Sequence, residues 1–295
     1  MDESQKNLKE KKLEMIQMTI NQSDEHPLKS FVHVLGGILV FLSIVYCSLK
    51  VVIDASIYLM PDSTAIYLTK SLGDIIIFNQ ESSEKNETQK YVQDLLNRLK
   101  ENSSLKNVDI EVIIRSDSTL NALSYPGYKI VVNQGLLEFV KSENELAFIL
   151  GHELGHYHYR HLLKRLSSSV LDFSVAIITL ISGVDTSIVK TLSANLNKQF
   201  SQRQESESDD YALKLVDRTY DGNSSGATDF FEKLSKTEGF IRNSLNFLFT
   251  HPLSKDRVSH LKTSIEDFKM SDKGLTPLPK NIFILDNISK KEEDE

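Results

Sequence analysis

Nineteen consecutive residues without a formal charge, Phe31 to Leu49 (FVHVLGGILVFLSIVYCSL), constrain this chain more than any other stretch of it. As a helix the run is about 28 Å long, close to the roughly 30 Å hydrocarbon thickness of a bilayer. A buried core helix and a cleaved signal peptide are the other fates open to such a segment. A signal peptide fits poorly. The charged leader is long, the run exceeds the usual roughly 7–15 apolar residues, and no small-x-small cleavage site stands out. The sequence therefore predicts an uncleaved single-span anchor with a lipid bilayer as partner. Its direction follows from the basic flanks. Lys6, Lys9, Lys11, Lys12 and Lys29 precede the run, against Lys50 and Lys70 in residues 50–80. The N-terminus is expected in the cytoplasm and everything after residue 50 across the membrane.

The expected division is a polar segment over 1–30, the anchor over 31–49, a linker or pre-domain over 50–84, a main domain over 85–270 and a tail over 271–295. A chain that is 40% hydrophobic has enough apolar surface for a core, which excludes disorder throughout. Its net charge of −7, with no basic stripe, argues against a nucleic-acid partner. Cys47 is the one cysteine, so neither an intramolecular disulfide nor a cysteine-based zinc site can form. Any metal must rest on histidines and carboxylates.

Tyr91, Val92, Leu95, Leu96 and Leu99 recur at helical spacing and predict a helix over 85–100. Val108–Ile114 and Tyr128–Val132 read as strands, the second following a Tyr125-Pro126-Gly127 turn. Helices dominate from Glu143 onward. A second apolar run, Val170 to Ser182, contains Asp172 and is too short for a comfortable span. It reads as a packed helix or one lying on a membrane surface.

The chemistry concentrates in His152-Glu153-Leu154-Gly155-His156. On a helix the two histidines are rotated only about 40° apart, so both imidazoles can reach one ion. Glu153, one step round, can contact a water at that ion as a general base, the arrangement of metal-assisted hydrolysis. Gly151 and Gly155 cost helix propensity, which points to close approach by a sheet or a substrate. Zinc bound by two histidines needs one more protein ligand and an open position. Glu205 and Asp209 are four apart on one helical face. One can bind the metal while the other accepts the free N–H of a ligating histidine. Glu207 and Asp210 point elsewhere. His158 and His161, about 240° and 180° from His152 on a continuous helix, are expected to pack on its far side.

These motifs resemble the gluzincin family of membrane-associated zinc metallopeptidases that contains HtpX, the CAAX prenyl endopeptidases and quality-control proteases of the BepA and LoiP kind. The likeness rests on GHELGH with YHYRH behind it, on FSQRQESESDDYA, on Asn121-Ala122 through Pro126-Gly127 to Gly135-Leu136-Leu137, and on His251-Pro252 with Arg257. It spans about residues 110–270. The chain departs from the family pattern at Gln202, at Ser208, and at Leu123 and Tyr128, where the family carries phenylalanine and a second glycine.

The resemblance implies an α+β, mainly helical zincin-like core with a small β-sheet after the anchor, holding one Zn2+ per chain. It implies Glu205 as third ligand beside His152 and His156, and Asp209 in support. His251 would donate to the developing oxyanion, with Arg257 behind it. Asn121, Ala122, Ile130, Val131 and Val132 would contact an extended polypeptide, with Tyr128–Val132 as the edge strand. An exposed edge suits that task because it recognises backbone rather than sequence. Unfolded or damaged envelope proteins are the expected substrates. One rival is a non-catalytic membrane scaffold with structural zinc; the intact Glu153 argues against it. Another is a multi-span CAAX-type enzyme, which a single convincing span disfavours.

Overall fold

The computed structural model describes residues 3–21, 27–76, 87–166, 199–230, 232–233, 251 and 255–279. The second apolar run, Pro252 and the tail beyond 279 lie outside them. The chain forms two compact units, Met1–Val52 and Ile53–Glu295.

The first unit contains α1 (Glu3–Asn21) and most of α2 (Pro27–Leu59). Among the described residues α2 is the one helix long and apolar enough to cross a bilayer, by length and composition. Phe31, Ile38, Phe41 and Ile44 are all exposed along it.

The second unit begins in the last turns of α2. Ile57, together with Ala65 and Leu72 of α3 (Asp62–Ile76), enters its hydrophobic core. Helix α4 (Glu87–Glu101) buries Val92, Leu95, Leu96 and Leu99, the stripe that its sequence spacing lays on one face. Next come β1 (Glu111–Arg115), β2 (Ala122–Tyr125) and β3 (Lys129–Asn133), then α5 (Gln134–Phe139) and α6 (Glu143–His158). After α6 lie α7 (His161–Leu166), α8 (Gln202–Thr219) and α9 (Lys255–Asp267).

The sheet order is β1-β3-β2, which corrects the expected edge strand. β3 pairs in parallel with β1 and antiparallel with β2, so Ile130, Val131 and Val132 have strands on both sides. Their backbone groups are spent on the ladder and cannot take up a further chain. The outer edge of β1 is occupied as well. Gln93 accepts from the Val112 N–H (2.7 Å) and donates to the Ile110 carbonyl (2.9 Å), while Gln89 donates to the Val112 carbonyl (2.8 Å). The side of β2 facing away from β3 is therefore the remaining edge. The Asn133 N–H donates to the Asn121 carbonyl (2.9 Å). Alternation of an antiparallel ladder then turns the backbone groups of Ala122 and Ser124 outward.

Two local signals place the helices that carry the site. Ser142 caps α6 by accepting from the Glu145 N–H, and Ser201 forms a reciprocal capping box with Gln204 at the start of α8. α6 is buried over Glu143–Tyr157, with α8 pressed against it. The glycines of α6 explain how close that packing is. A Cβ at Gly151 would lie 3.1 Å from Ala212 Cα, and one at Gly155 would lie 2.8 Å from Ser208 Cα. The partner that needs the space is a helix, not the sheet or substrate expected.

Candidate metal centre

Helix α6 presents His152 and His156 one turn apart, and close packing on α8 brings Glu205 and Asp209 against them. His152 Nε2 and His156 Nε2 are 3.0 Å apart. The Glu205 carboxylate lies 3.5 Å from the first through Oε2 and 3.6 Å from the second through Oε1. Ligands at zinc's usual bond lengths of about 2.0–2.1 Å in a tetrahedral shell sit about 3.3 Å from one another. His152 Nδ1 faces Asp209 Oδ1 at 2.8 Å. A carboxylate only accepts, so that nitrogen carries the proton and His152 Nε2 is a lone pair. A lone pair turned on a buried carboxylate is a donor pair that a cation between them would satisfy. The donor types and spacing at His152, His156 and Glu205 are compatible with a metal ion such as zinc.

His251 enters the same cluster. Its Nδ1 lies 3.2 Å from His152 Nε2 and 3.1 Å from Glu205 Oε1, and its Nε2 lies 3.5 Å from Glu153 Oε1. His152, Glu153, His156 and His251 each bring one donor atom within 4.8 Å of the others, so His251 is also placed to ligate. Arg257 is tied to carboxylates. Nη1 pairs with Glu205 Oε2 at 2.7 Å, while Nε and Nη2 fork onto Asp209 at 2.9 and 2.8 Å. One guanidinium thus holds both acids of α8 in a planar, bidentate geometry that lysine could not supply.

Glu153 is buried beside this cluster. The Ser124 N–H and hydroxyl donate to its Oε2 at 2.7 and 2.6 Å, while Oε1 accepts no hydrogen bond among the described residues. Burial pushes its carboxyl up to about 8, against the opposing pull of Ser124. Burial likewise raises Glu205 to about 7, with His152 and Arg257 pulling it down. Burial alone would raise Asp209 too, but Arg257 and the His152 bond hold it far below the usual carboxylate range. His152, His156 and His251 are lowered, chiefly by burial, and so stay neutral.

Two residues set aside in the sequence lie against the site. His161 is fully buried with Nδ1 2.9 Å from His156 Nδ1, and its Nε2 is 3.2 Å from Glu207 Oε2. Reading a continuous helix through residue 161 was the error. α6 ends at His158, Arg160 adopts a left-handed conformation (φ 57°), and α7 starts afresh at His161. The break swings His161 back toward the ligand histidines. His158 does pack away from the site, stacked on Tyr211 with Nδ1 2.7 Å from Ser104 Oγ. Ser124 carries no motif, and the sequence offered no signal for its grip on Glu153. Of the expected substrate residues, Asn121 lies just before β2 and Ala122 opens it, two positions ahead of Ser124. Tyr128, standing where the resemblance has glycine, has φ 56° and stacks its ring on Tyr157 at 4.7 Å.

A profile of peptidase family M48 matches residues 86–265, more than half of the chain. The chain belongs to peptidase family M48. It is 35% identical over 157 residues to mitochondrial metalloendopeptidase OMA1 of Arabidopsis thaliana, covering 52% of this chain and 31% of that one. With the Schizosaccharomyces pombe protein of the same name it shares 31% over 177 residues, covering 58% and 51%. With metalloprotease LoiP of Escherichia coli (strain K12) it shares 30% over 174 residues, covering 57% and 67%. The chain thus matches about a third to a half of the length of the two OMA1 relatives. M48 membership and the mainly helical architecture with one small sheet agree with the resemblance carried by the motifs.

Proposed function

We propose that this M48 chain is a membrane-anchored zinc endopeptidase that hydrolyses peptide bonds in unfolded or damaged envelope or membrane proteins bound in extended form. The observation that carries the reading is the convergence of His152, His156 and Glu205 within 3.0–3.6 Å beside the buried carboxylate of Glu153. The relatives, a metalloendopeptidase and a metalloprotease, support the same chemistry.

A zinc ion in this donor set supplies a Lewis acid for the scissile carbonyl and acidity for the attacking water. Ser124 holds Glu153 Oε2 and leaves Oε1 directed into the cluster to take that water's proton and return it to the leaving amine. His251 Nε2, on the side of Glu153 Oε1, donates to the developing oxyanion. Arg257 fixes Glu205 and Asp209, and Asp209 fixes the ring of His152. The outward edge of β2 at Ala122 takes the substrate backbone, which supports recognition of extended chains with little regard to sequence. The span within α2 anchors the enzyme as a single-pass protein of the inner membrane. The lysine-rich segment lies in the cytoplasm and the peptidase domain on the periplasmic side.

Metal analysis and casein digestion with the parent, Glu153→Gln and Glu205→Ala test the reading. The parent holds one zinc and digests casein, the first variant keeps the metal without activity, and the second loses both. A Glu153→Gln protein that keeps zinc and digests casein like the parent would overturn it.

A further inference from the structure

The two ligand histidines are supported differently. His152 gives its Nδ1 proton directly to Asp209, which Arg257 grips. Among the described residues His156 meets no carboxylate at its Nδ1 but another imidazole, His161, at 2.9 Å. Two facing ring nitrogens share one proton, and which ring owns it decides whether His156 Nε2 is a lone pair or an N–H.

The far side of His161 settles the ownership. Its Nε2 faces Glu207 Oε2 at 3.2 Å, and the second Glu207 oxygen accepts from Arg203 Nε at 2.9 Å. A carboxylate accepts only, so His161 carries its proton on Nε2 and offers Nδ1 as an acceptor. The donor to that acceptor is then the Nδ1–H of His156, which leaves His156 Nε2 as a lone pair turned toward His152 Nε2 and Glu205. The Ser208 hydroxyl, 3.4 Å from His161 Nδ1, is a more distant second neighbour of the same acceptor. Phe200 stacks on the His156 ring at 3.8 Å between centroids and fixes its plane.

We infer that Glu207, acting through His161, sets the tautomer of His156 and thereby aims its Nε2 lone pair into the metal centre. Both are positioning residues: neither touches the reacting atoms. Each ligand imidazole is thus oriented by a carboxylate that an arginine holds, Asp209 with Arg257 directly and Glu207 with Arg203 through one intervening ring. The arrangement depends on the left-handed turn at Arg160, which starts α7 at His161 and returns that ring to the site.

The inference rests on the zinc reading above, and two measurements separate their failures. The first is zinc affinity by chelator competition, with thermal unfolding of the zinc-free protein as a folding control. His161→Leu keeps volume but removes the acceptor, and is expected to weaken zinc binding by about 10–100-fold. His161→Asn, which returns an acceptor oxygen near the Nδ1 position, recovers most of that loss. Glu207→Ala weakens binding less than His161→Leu. The second measurement is a long-range nitrogen–proton correlation on histidine-labelled, zinc-free parent, in which His156 appears as the Nδ1–H tautomer. A folded His161→Leu protein with parental zinc affinity would sink the inference while leaving the zinc reading intact. So would equal losses in the Leu and Asn variants, or a His156 proton on Nε2 in the parent. A parent that binds no zinc removes both.

Discussion

Two glutamates on α6, ten positions apart and both buried, have opposite surroundings. Glu143 accepts from Arg98 at 2.5 Å, Tyr91 at 2.5 Å and Tyr220 at 2.8 Å, so α4, α6 and the C-terminal cap of α8 are clamped on one carboxylate. Although burial alone would raise its carboxyl, these three donors hold it below its ordinary value. Glu153 has Ser124 on one oxygen and no hydrogen bond to the other among the described residues, and burial lifts it to about 8. A satisfied buried carboxylate holds a fold together; one left half-satisfied stores a capacity to take a proton. The comparison separates what α6 does as scaffold from what it does as chemistry.

The largest expected effect breaks the comparison at its chemical end. Glu153→Gln lowers kcat/KM on casein by about 10²–10⁴-fold with zinc content unchanged, the usual worth of a positioned general base. Glu143→Gln leaves kcat/KM close to the parent. At the structural end, Glu143→Ala strands three donors and costs about 1–3 kcal/mol in denaturant unfolding. The Glu153→Gln protein unfolds no more readily than the parent.

Opposite signs in pH dependence sharpen the contrast further. Glu143 has a depressed folded pKa, so its stabilisation is present above its ordinary value of 4.5 and is lost as pH falls through the folded value. Glu153 has a raised folded pKa, so the zinc-free fold is progressively penalised as pH rises from 4.5 toward about 8. Thermal unfolding of zinc-free protein across that range should therefore find Glu143→Gln less stable than the parent at neutral pH. Glu153→Gln should be more stable there; that difference should shrink as pH falls from about 8 toward 4.5, whereas the Glu143→Gln difference should persist to about 4.5 and shrink only below it. Differences of the same sign would contradict the assignment of the two environments.

The smallest effect concerns Ser124. Its two hydrogen bonds lower the Glu153 pKa, so Ser124→Ala moves the acid limb of the kcat/KM profile to higher pH while zinc binding stays. The remaining backbone N–H limits the shift, because the substitution removes only the hydroxyl. An unmoved acid limb would mean that Ser124 does not act on the base.

Much of the centre was legible because its geometry is local. The i, i+4 spacing that puts His152 and His156 on one helical face also puts Glu205 and Asp209 on another, and the structure brings the two faces together. Arg257 pairs with Glu205 and Asp209, a partnership between α8 and α9 that no spacing encodes. His161 and Glu207 were misread for a related reason. Extrapolating about 100° per residue assumes an unbroken helix, and the break at Arg160 cancels the assumption. In sequence β3 reads as an edge, because pairing partners are not written in a strand's own residues. Only the parallel return to β1 makes it central, and only Gln89 and Gln93 of α4 close the edge beyond.

By itself the sequence determined the apolar stretch long enough for a bilayer, the donor types available to a metal, and the pairing of those donors along two helices. Each follows from periodicity over a turn or a run, which chain stereochemistry fixes. Tertiary structure decided which strand edge stays open, which carboxylate is left wanting a proton, and which histidine supports another. Those outcomes depend on how closely Gly151 and Gly155 let one helix approach its neighbour, and on one left-handed residue between two helices.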